Sequence, residues 1–373
     1  MNASRHHPGW AVLRRCDPWM VSTALILLGV GIAFIYSAGR HAATLSSLWL
    51  KQLSWAGLAV LGCLGVVRTG YDRILRQAGA LYAIAVAVLV LTLIAGVRIN
   101  GARCWLNFLG IQLQPSELTK VATVLLLARE LARPDLNAEH WSTLARAAVI
   151  AGIPFVLILL QPDLGTAMVL LPVTAAMLFV AGMRIRQLLT IGVAGLALLP
   201  VTWLFLDGYQ KERIRVFFDP WRDPLGSGWN KIQSELAVGS GGLWGKGWLR
   251  GTQNTLGYLP QPVAPTDFIF SVIGEEVGFI GSSLLLLLFL VLLWRALEAA
   301  SRAADRAGLL LAVGLATLVF VHVFVNLGMT IGLLPIVGLP LPLVSYGGSF
   351  LIATGLGLGL LLSVYAKGLP ATM

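Results

Sequence analysis

Apolar runs of about 20 residues recur along the whole chain, and no other feature of the sequence restricts the fold so tightly. A run of that length as a helix spans the roughly 30 Å hydrocarbon core of a bilayer. Of the 373 residues, 57% are hydrophobic and 12% charged, against roughly 25% charged in an ordinary soluble domain. Too little polar surface remains to clothe a water-soluble fold. The runs place spans at about 19–37, 50–68, 75–97, 116–133, 145–161, 164–183, 187–206, 267–294, 307–331 and 343–366. The expected class is an all-α polytopic membrane protein of about ten transmembrane helices, read as one membrane domain over 1–373.

The formal charge of +10 is not a nucleic-acid signature, because the cations fall in short groups between apolar runs. They follow the positive-inside pattern instead. Arg14 and Arg15 precede the first run, which is longer than a signal-peptide core and is read as a retained helix. Alternate connections then carry Arg68, Arg73 and Arg76, next Arg129, Arg133 and Arg146, next Arg184 and Arg186, and finally Arg295, Arg302 and Arg306. Both termini are expected on the cytoplasmic side.

One connection breaks the rhythm. Residues 207–266, between the seventh and eighth spans, are polar and rich in Gly, Pro, Trp and Tyr, and the charge bias puts them outside the cell. Long connections of this kind are usually functional. Phe217, Phe218, Trp221, Trp229, Trp244, Trp248 and Tyr258 alternate there with cations, a mixture suited to the membrane interface and its lipids.

Ionisable residues at the outer helix starts are the candidates for chemistry, since a charge in the bilayer requires a partner, water or a function. Three such starts recur: Pro115-Ser116-Glu117, Pro162-Asp163 and Pro265-Thr266-Asp267. Each also fits ordinary helix-start chemistry. Glu117 and Lys120 share a helix face and can pair. Asp267, Ser271, Gly274 and Gly278 lie on another face, one that either packs tightly or lines a groove. Glu275 and Glu276 lie deeper and need partners or water. Cys16, Cys63 and Cys104 lack metal-ligand spacing and read as packing residues. Gly355 and Gly359, at GxxxG spacing, read as close helix packing. The histidines offer no metal motif, no phosphate-binding glycine loop is present, and no transporter-type repeat is evident.

Five stretches together resemble the SEDS family of bacterial cell-wall proteins: Asn100 to Lys120, Gln161 to Ala167, Asp223 to Gly247, Ala264 to Gly281 and Gly332 to Ser349. They span nearly the whole chain in the family's order. The run Pro335 to Pro340 resembles the elongation branch more than the division branch. The sequence departs from the family at Cys104, where a second arginine often follows Arg103, and at Phe350, where a smaller residue is common.

The resemblance implies a peptidoglycan glycosyltransferase that polymerises lipid II into β-1,4 glycan strands with inversion and loss of undecaprenyl pyrophosphate, serving cell elongation and shape. It implies Asp267 as the base, with Glu117, Lys120 and Asp163 shaping a groove. Arg103, Arg213, Arg215, Lys231 and Lys246 become candidates for the pyrophosphate, and Gln233, Ser271 and Ser345 supporting groups. It also implies an extracytoplasmic active site in a bacterial inner membrane and a class B penicillin-binding protein as the partner transpeptidase. No cofactor is coded, although pyrophosphate could recruit Mg²⁺ or Mn²⁺ without a protein motif. A lipid II flippase and a scaffold for other wall enzymes are the alternatives.

Overall fold

A computed structural model describes residues 15–40, 45–99, 102–108, 111–136, 139–205, 208–226, 228–260 and 263–369. The membrane helices are α1 (Pro18–Gly39), α2 (Leu48–Thr69), α4 (Ala78–Ala95), α5 (Pro115–Leu131), α6 (Trp141–Leu159), α7 (Leu164–Val180), α8 (Ile185–Phe205), α12 (Ile269–Ser301), α13 (Arg306–Thr330) and α14 (Gly348–Gly368). A short helix α3 (Tyr71–Arg76) joins α2 to α4. Seven of the described helices are long and apolar enough to cross a membrane. The other three, α5, α7 and α8, occupy the remaining expected spans; α5 is 17 residues long and carries Glu117, Lys120, Arg129 and Glu130. The chain is a multi-pass membrane protein.

Helix starts follow local chemistry. Pro18 opens α1 while Asp17 accepts a hydrogen bond from the Trp19 N–H, and Asp163 caps α7 through the Thr166 N–H. The centre of the bundle is α14, 83% of whose most apolar window is buried, packed on α2, α5, α12 and α13. Gly355 and Gly359 set its distance from α2. A Cβ at either would stand 2.8 Å from a backbone oxygen, of Ala59 or Cys63 respectively, which is the close packing the spacing suggested. By contrast α8 turns Leu189, Val193 and Leu196 outward, a surface suited to lipid.

Two connections hold more structure than the sequence suggested. The link between α4 and α5 is an antiparallel sheet of β1 (Val97–Ile99), β2 (Ala102–Phe108) and β3 (Ile111–Leu113) in the order β1-β2-β3. Val97 pairs with Trp105, and Asn107 with Gln112. Strands this short leave little alternation to read. The 207–266 segment folds into α9 (Gly208–Phe218), a 3₁₀ turn at Pro220–Arg222, α10 (Trp229–Ser240) and α11 (Thr252–Thr255), with α10 packed on α12 and α13.

That segment also repairs a break in α12. At Gly278 the backbone turns to φ 65°, ψ −162°, a conformation reserved for glycine. The carbonyls freed at Glu275 and Glu276 accept from the N–H groups of Lys246 (3.0 Å) and Gly247 (2.9 Å). Conversely, the N–H groups of Phe279 and Ile280 donate to Gly242 (2.8 Å) and Leu243 (3.1 Å). Irregular backbone at membrane depth persists only where protein supplies such partners.

Candidate active site

Four helices begin at one place. The N-terminal ends of α5, α7, α12 and α14 contribute Gln114, Asp163, Thr266, Asp267, Gly347 and Ser349 to the lining of a cavity of about 690 Å³. Three of these starts were singled out by their sequence; the fourth, at Gly347-Gly348-Ser349, joins them. Helix N-termini carry the positive end of the backbone dipole and donor N–H groups. Sites for small molecules commonly enclose roughly 300–1,000 Å³.

The backbone at Asp267 is fixed by three successive carbonyl contacts. Pro265 accepts from the Tyr346 N–H at 2.9 Å, Thr266 from the Ser345 hydroxyl at 2.5 Å, and Asp267 from the Asn326 amide at 2.9 Å. Ser345 Oγ also accepts from the Leu341 N–H at 2.8 Å. Ser345 therefore holds the turn bearing the aspartate. Gly338, at φ +72°, passes so near the carboxylate that a Cβ there would lie 3.3 Å from Asp267 Oδ2. Backbone fixed in this way lets a carboxylate keep one geometry.

Asp163 faces the same cavity. Its Oδ1 accepts from the Thr166 N–H and its Oδ2 from Gln114 Nε2, each at 3.1 Å. Cys104 lines the wall beside it. Burial first, and then the negative charge of Asp163, push the Cys104 thiol up to about 12. The cysteine is thus a neutral wall residue where an arginine is common in the resembling family.

Glu117 and Lys120 lie beneath this chamber, next to a smaller void that they line with His322 and Phe350. They are 2% and 1% exposed. Lys120 Nζ sits 2.9 Å from Glu117 Oε2 and 2.8 Å from His322 Nε2. Phe350 lines both spaces and so stands between the pair and the main cavity. The three charged or polar side chains form one internal network.

The candidate cations divide sharply. Among the described residues, the cavity lining includes no Lys, Arg or His. Lys246 bonds to Glu275 Oε1 at 2.6 Å, and Lys231 donates to the Phe217 carbonyl at 2.6 Å and lies 4.6 Å from that ring. Arg103 donates to the Leu93 carbonyl at the C-terminal end of α4. These three have internal partners outside the lining. Arg215 sits on α9, 3.5 Å from Glu212, next to Ile214, which does face the cavity. The Arg213 side chain lies outside the described residues.

Of the supporting candidates, Ser271 Oγ lies 2.7 Å from Ser234 Oγ, which donates to the Thr330 carbonyl. The small face of α12 therefore packs tightly, with Gly274 against Val238, rather than lining a groove. Gln233 is buried on α10. Residues that sequence reasoning passed over include Trp105 and Gln112 of the sheet, Gln114 at the start of α5 and Asn326 of α13. Only Gln114, next to Pro115, had a local signal.

No group of three or more His, Cys, Asp or Glu side chains among the described residues could hold a metal ion. Two aspartates in one cavity make a sparse donor set. Mg²⁺ accepts such a set when substrate phosphates and water complete it.

Comparison with known proteins identifies the relatives of this chain. The chain is 39% identical to peptidoglycan glycosyltransferase MrdB of Escherichia coli strain K12, covering 94% of this chain and 93% of that protein. It is 38% identical to stage V sporulation protein E of Bacillus subtilis, covering 93% and 96%. Among solved structures, one studied for coordination of polymerization and crosslinking by a peptidoglycan synthase complex superposes with TM-score 0.79 at 35% identity, covering 95% and 98%. Rod shape determining protein RodA of Thermus thermophilus gives 0.70 at 32%, covering 94% and 96%. Residues 18–368 match the FtsW/RodA/SpoVE family, described as cell cycle proteins, and the chain belongs to that family, the SEDS proteins of the bacterial cell wall.

Proposed function

We propose that this chain is a peptidoglycan glycosyltransferase that polymerises lipid II in the cavity shared by Asp267 and Asp163. The observation that carries the reading is Asp267 itself: a carboxylate at a cavity wall, on a backbone fixed through three consecutive carbonyls. Asp267 takes the proton from the 4-hydroxyl of the acceptor GlcNAc. That oxygen bonds to C1 of the donor MurNAc as the bond from C1 to the pyrophosphate oxygen breaks. Attack opposite the α-linked leaving group yields a β-1,4 link, and undecaprenyl pyrophosphate departs with the electron pair.

Charge then builds on the leaving group. The four converging helix N-termini and the cations of α9, Arg215 and Arg213, are the groups we assign to it. Lys246, Lys231 and Arg103 are left out because each is bonded to a group away from the cavity lining, whereas Arg215 follows Ile214, which lines it. A divalent ion arriving with the pyrophosphate would find Asp163 and Asp267 as its protein carboxylates and would neutralise phosphate charge. The buried Glu117–Lys120–His322 network supports the cavity floor from behind Phe350, and Gln233, Ser271 and Ser345 are packing and positioning groups.

We place the cavity outside the cell and both termini in the cytoplasm. Supporting this, Arg15 donates to the Leu369 carbonyl at 2.9 Å, Arg295 pairs with Asp17 and Lys367 with Asp72. Those cations gather at the end of the bundle away from the four helix starts. The hydrophobic core runs from Met20 to Tyr365 and takes in Ala237 and Leu259 of the long segment, which supports one membrane domain. A transpeptidase of the class B penicillin-binding type is the partner we expect, since strands made here need crosslinking. Elongation and shape maintenance are the cellular role.

Purified protein given labelled lipid II should yield glycan strands, and Asp267→Ala and Asp267→Asn should not. Strands at wild-type yield from either variant would overturn the base. Lipid II crossing vesicle membranes without polymer would point to a flippase instead.

A further inference from the structure

The sheet between α4 and α5 presents to the cavity polar groups that no described residue engages. Trp105 on β2 and Gln112 on β3 both line it. Neither the Trp105 indole N–H nor the Gln112 amide hydrogen-bonds to a described residue. Gln114 lies two residues beyond Gln112, on the same side of the chain by strand periodicity. Its amide ties the sheet to Asp163 at 3.1 Å, and its N–H donates to Ser349 Oγ at 2.9 Å. The wall is thereby anchored to the carboxylate side of the site, while the Trp105 and Gln112 side chains bond to no described residue.

These groups select among the parts of a lipid-linked substrate. A polyprenyl chain has no use for an amide and an indole N–H. A pyrophosphate would call for cations, and among the described residues the cavity lining includes none, Arg103 of β2 being turned to the Leu93 carbonyl. A pyranose ring offers a flat C–H face to an aromatic plane and a rim of hydroxyl and acetamido groups to hydrogen-bonding side chains. Trp combines a broad apolar face with one donor, and a few placed polar groups fix orientation in a binding cavity. The stem peptide need not enter the chamber, whereas the sugars carry the reacting atoms to Asp267.

We propose that Trp105 and Gln112 form a saccharide subsite that holds an N-acetylated hexosamine ring of the substrate. Trp105 stacks on the ring, and its N–H and the Gln112 amide bond to hydroxyl or acetamido oxygens. The proposal rests on the transferase reading and adds to it which wall grips the sugar.

Binding to the purified protein in lipid nanodiscs would be measured for three ligands: lipid II, its counterpart without the stem peptide, and undecaprenyl pyrophosphate. Trp105→Ala should weaken the first two by roughly five- to tenfold, the scale of one aromatic contact. It should leave the third unchanged. Trp105→Phe should restore most of the loss, and Gln112→Ala should raise KM for lipid II with kcat nearly constant. Equal weakening of all three ligands, or weakening of none, would overturn the subsite. Weakening of lipid II alone would assign the wall to the peptide and overturn it too. A wild-type protein that makes no polymer would sink the transferase reading, while the three-ligand comparison judges the sugar wall separately.

Discussion

The side-chain amide of Asn326 donates to the backbone carbonyl of Asp267 at 2.9 Å and to that of Leu339 at 2.7 Å. One buried residue of α13 thus ties the aspartate's turn to the segment running past it. Asn326→Ala removes both bonds, and a buried acceptor left unsatisfied costs about 1–3 kcal/mol. The carboxylate would lose its fixed position without losing its identity. We expect kcat for lipid II polymerisation to fall about tenfold to a hundredfold with KM little changed, the scale of a small misplacement of a reacting group. A variant with wild-type kcat would show that Asp267 is positioned by other contacts.

Asn326 also marks where sequence reading stops. The spans were legible because most of the apolar runs are long enough to cross a bilayer by themselves. The helix starts at Glu117, Asp163 and Asp267 were legible because proline and a carboxylate leave a local signature. Contacts between distant residues leave none. Nothing in the sequence says that Lys120 meets His322, or that Glu276 accepts a bond from Ser37 of α1. The five cations looked equivalent for the same reason, since whether a lysine is already occupied depends on residues elsewhere in the chain.

Cys104 offers a probe of the cavity's electrostatics. Its thiol is pushed up to about 12, by burial and then by the negative charges of Asp163 and Glu117. The thiolate is the reactive form. Maleimide modification of Cys104, followed by peptide mass spectrometry, should therefore be slow at neutral pH and quicken as pH rises. Asp163→Asn removes a nearby negative charge, lowers the thiol's pKa and should speed labelling at fixed pH. A rate indifferent to Asp163 would separate the two residues electrostatically.

Asp305 links the end of the bundle away from the cavity to pH. Burial acts to raise its pKa. The Gly308 N–H, the Tyr71 hydroxyl and the Lys367 ammonium outweigh that effect and hold the carboxyl below the usual aspartate range. A lowered folded-state pKa contributes stability that is present above the unfolded value and is lost as pH falls through the folded one. Asp305→Asn should lower the melting temperature at pH 7. The gap to wild type should close in acid, once pH drops below about 4, where an ordinary aspartate protonates. A gap that persists unchanged there would mean that shape, not charge, is what Asp305 supplies.

Lys246 distinguishes a structural latch from a phosphate clamp. Its Nζ lies 2.6 Å from Glu275 Oε1, where Thr252 Oγ1 and the Gln253 N–H also donate, and Glu275 is 0% exposed. The contact closes the loop over the break in α12. Lys246→Met would leave a buried carboxylate without its cation, a change that destabilises by about 3–5 kcal/mol. Adding Glu275→Gln removes the stranded charge and should recover part of the melting temperature. Polymerisation per folded molecule should follow the same order, with the double variant more active than Lys246→Met alone. Were Lys246 a pyrophosphate ligand, Lys246→Met would melt like wild type and stay inactive whatever stands at position 275, so melting and turnover measured on the same preparations decide between the two.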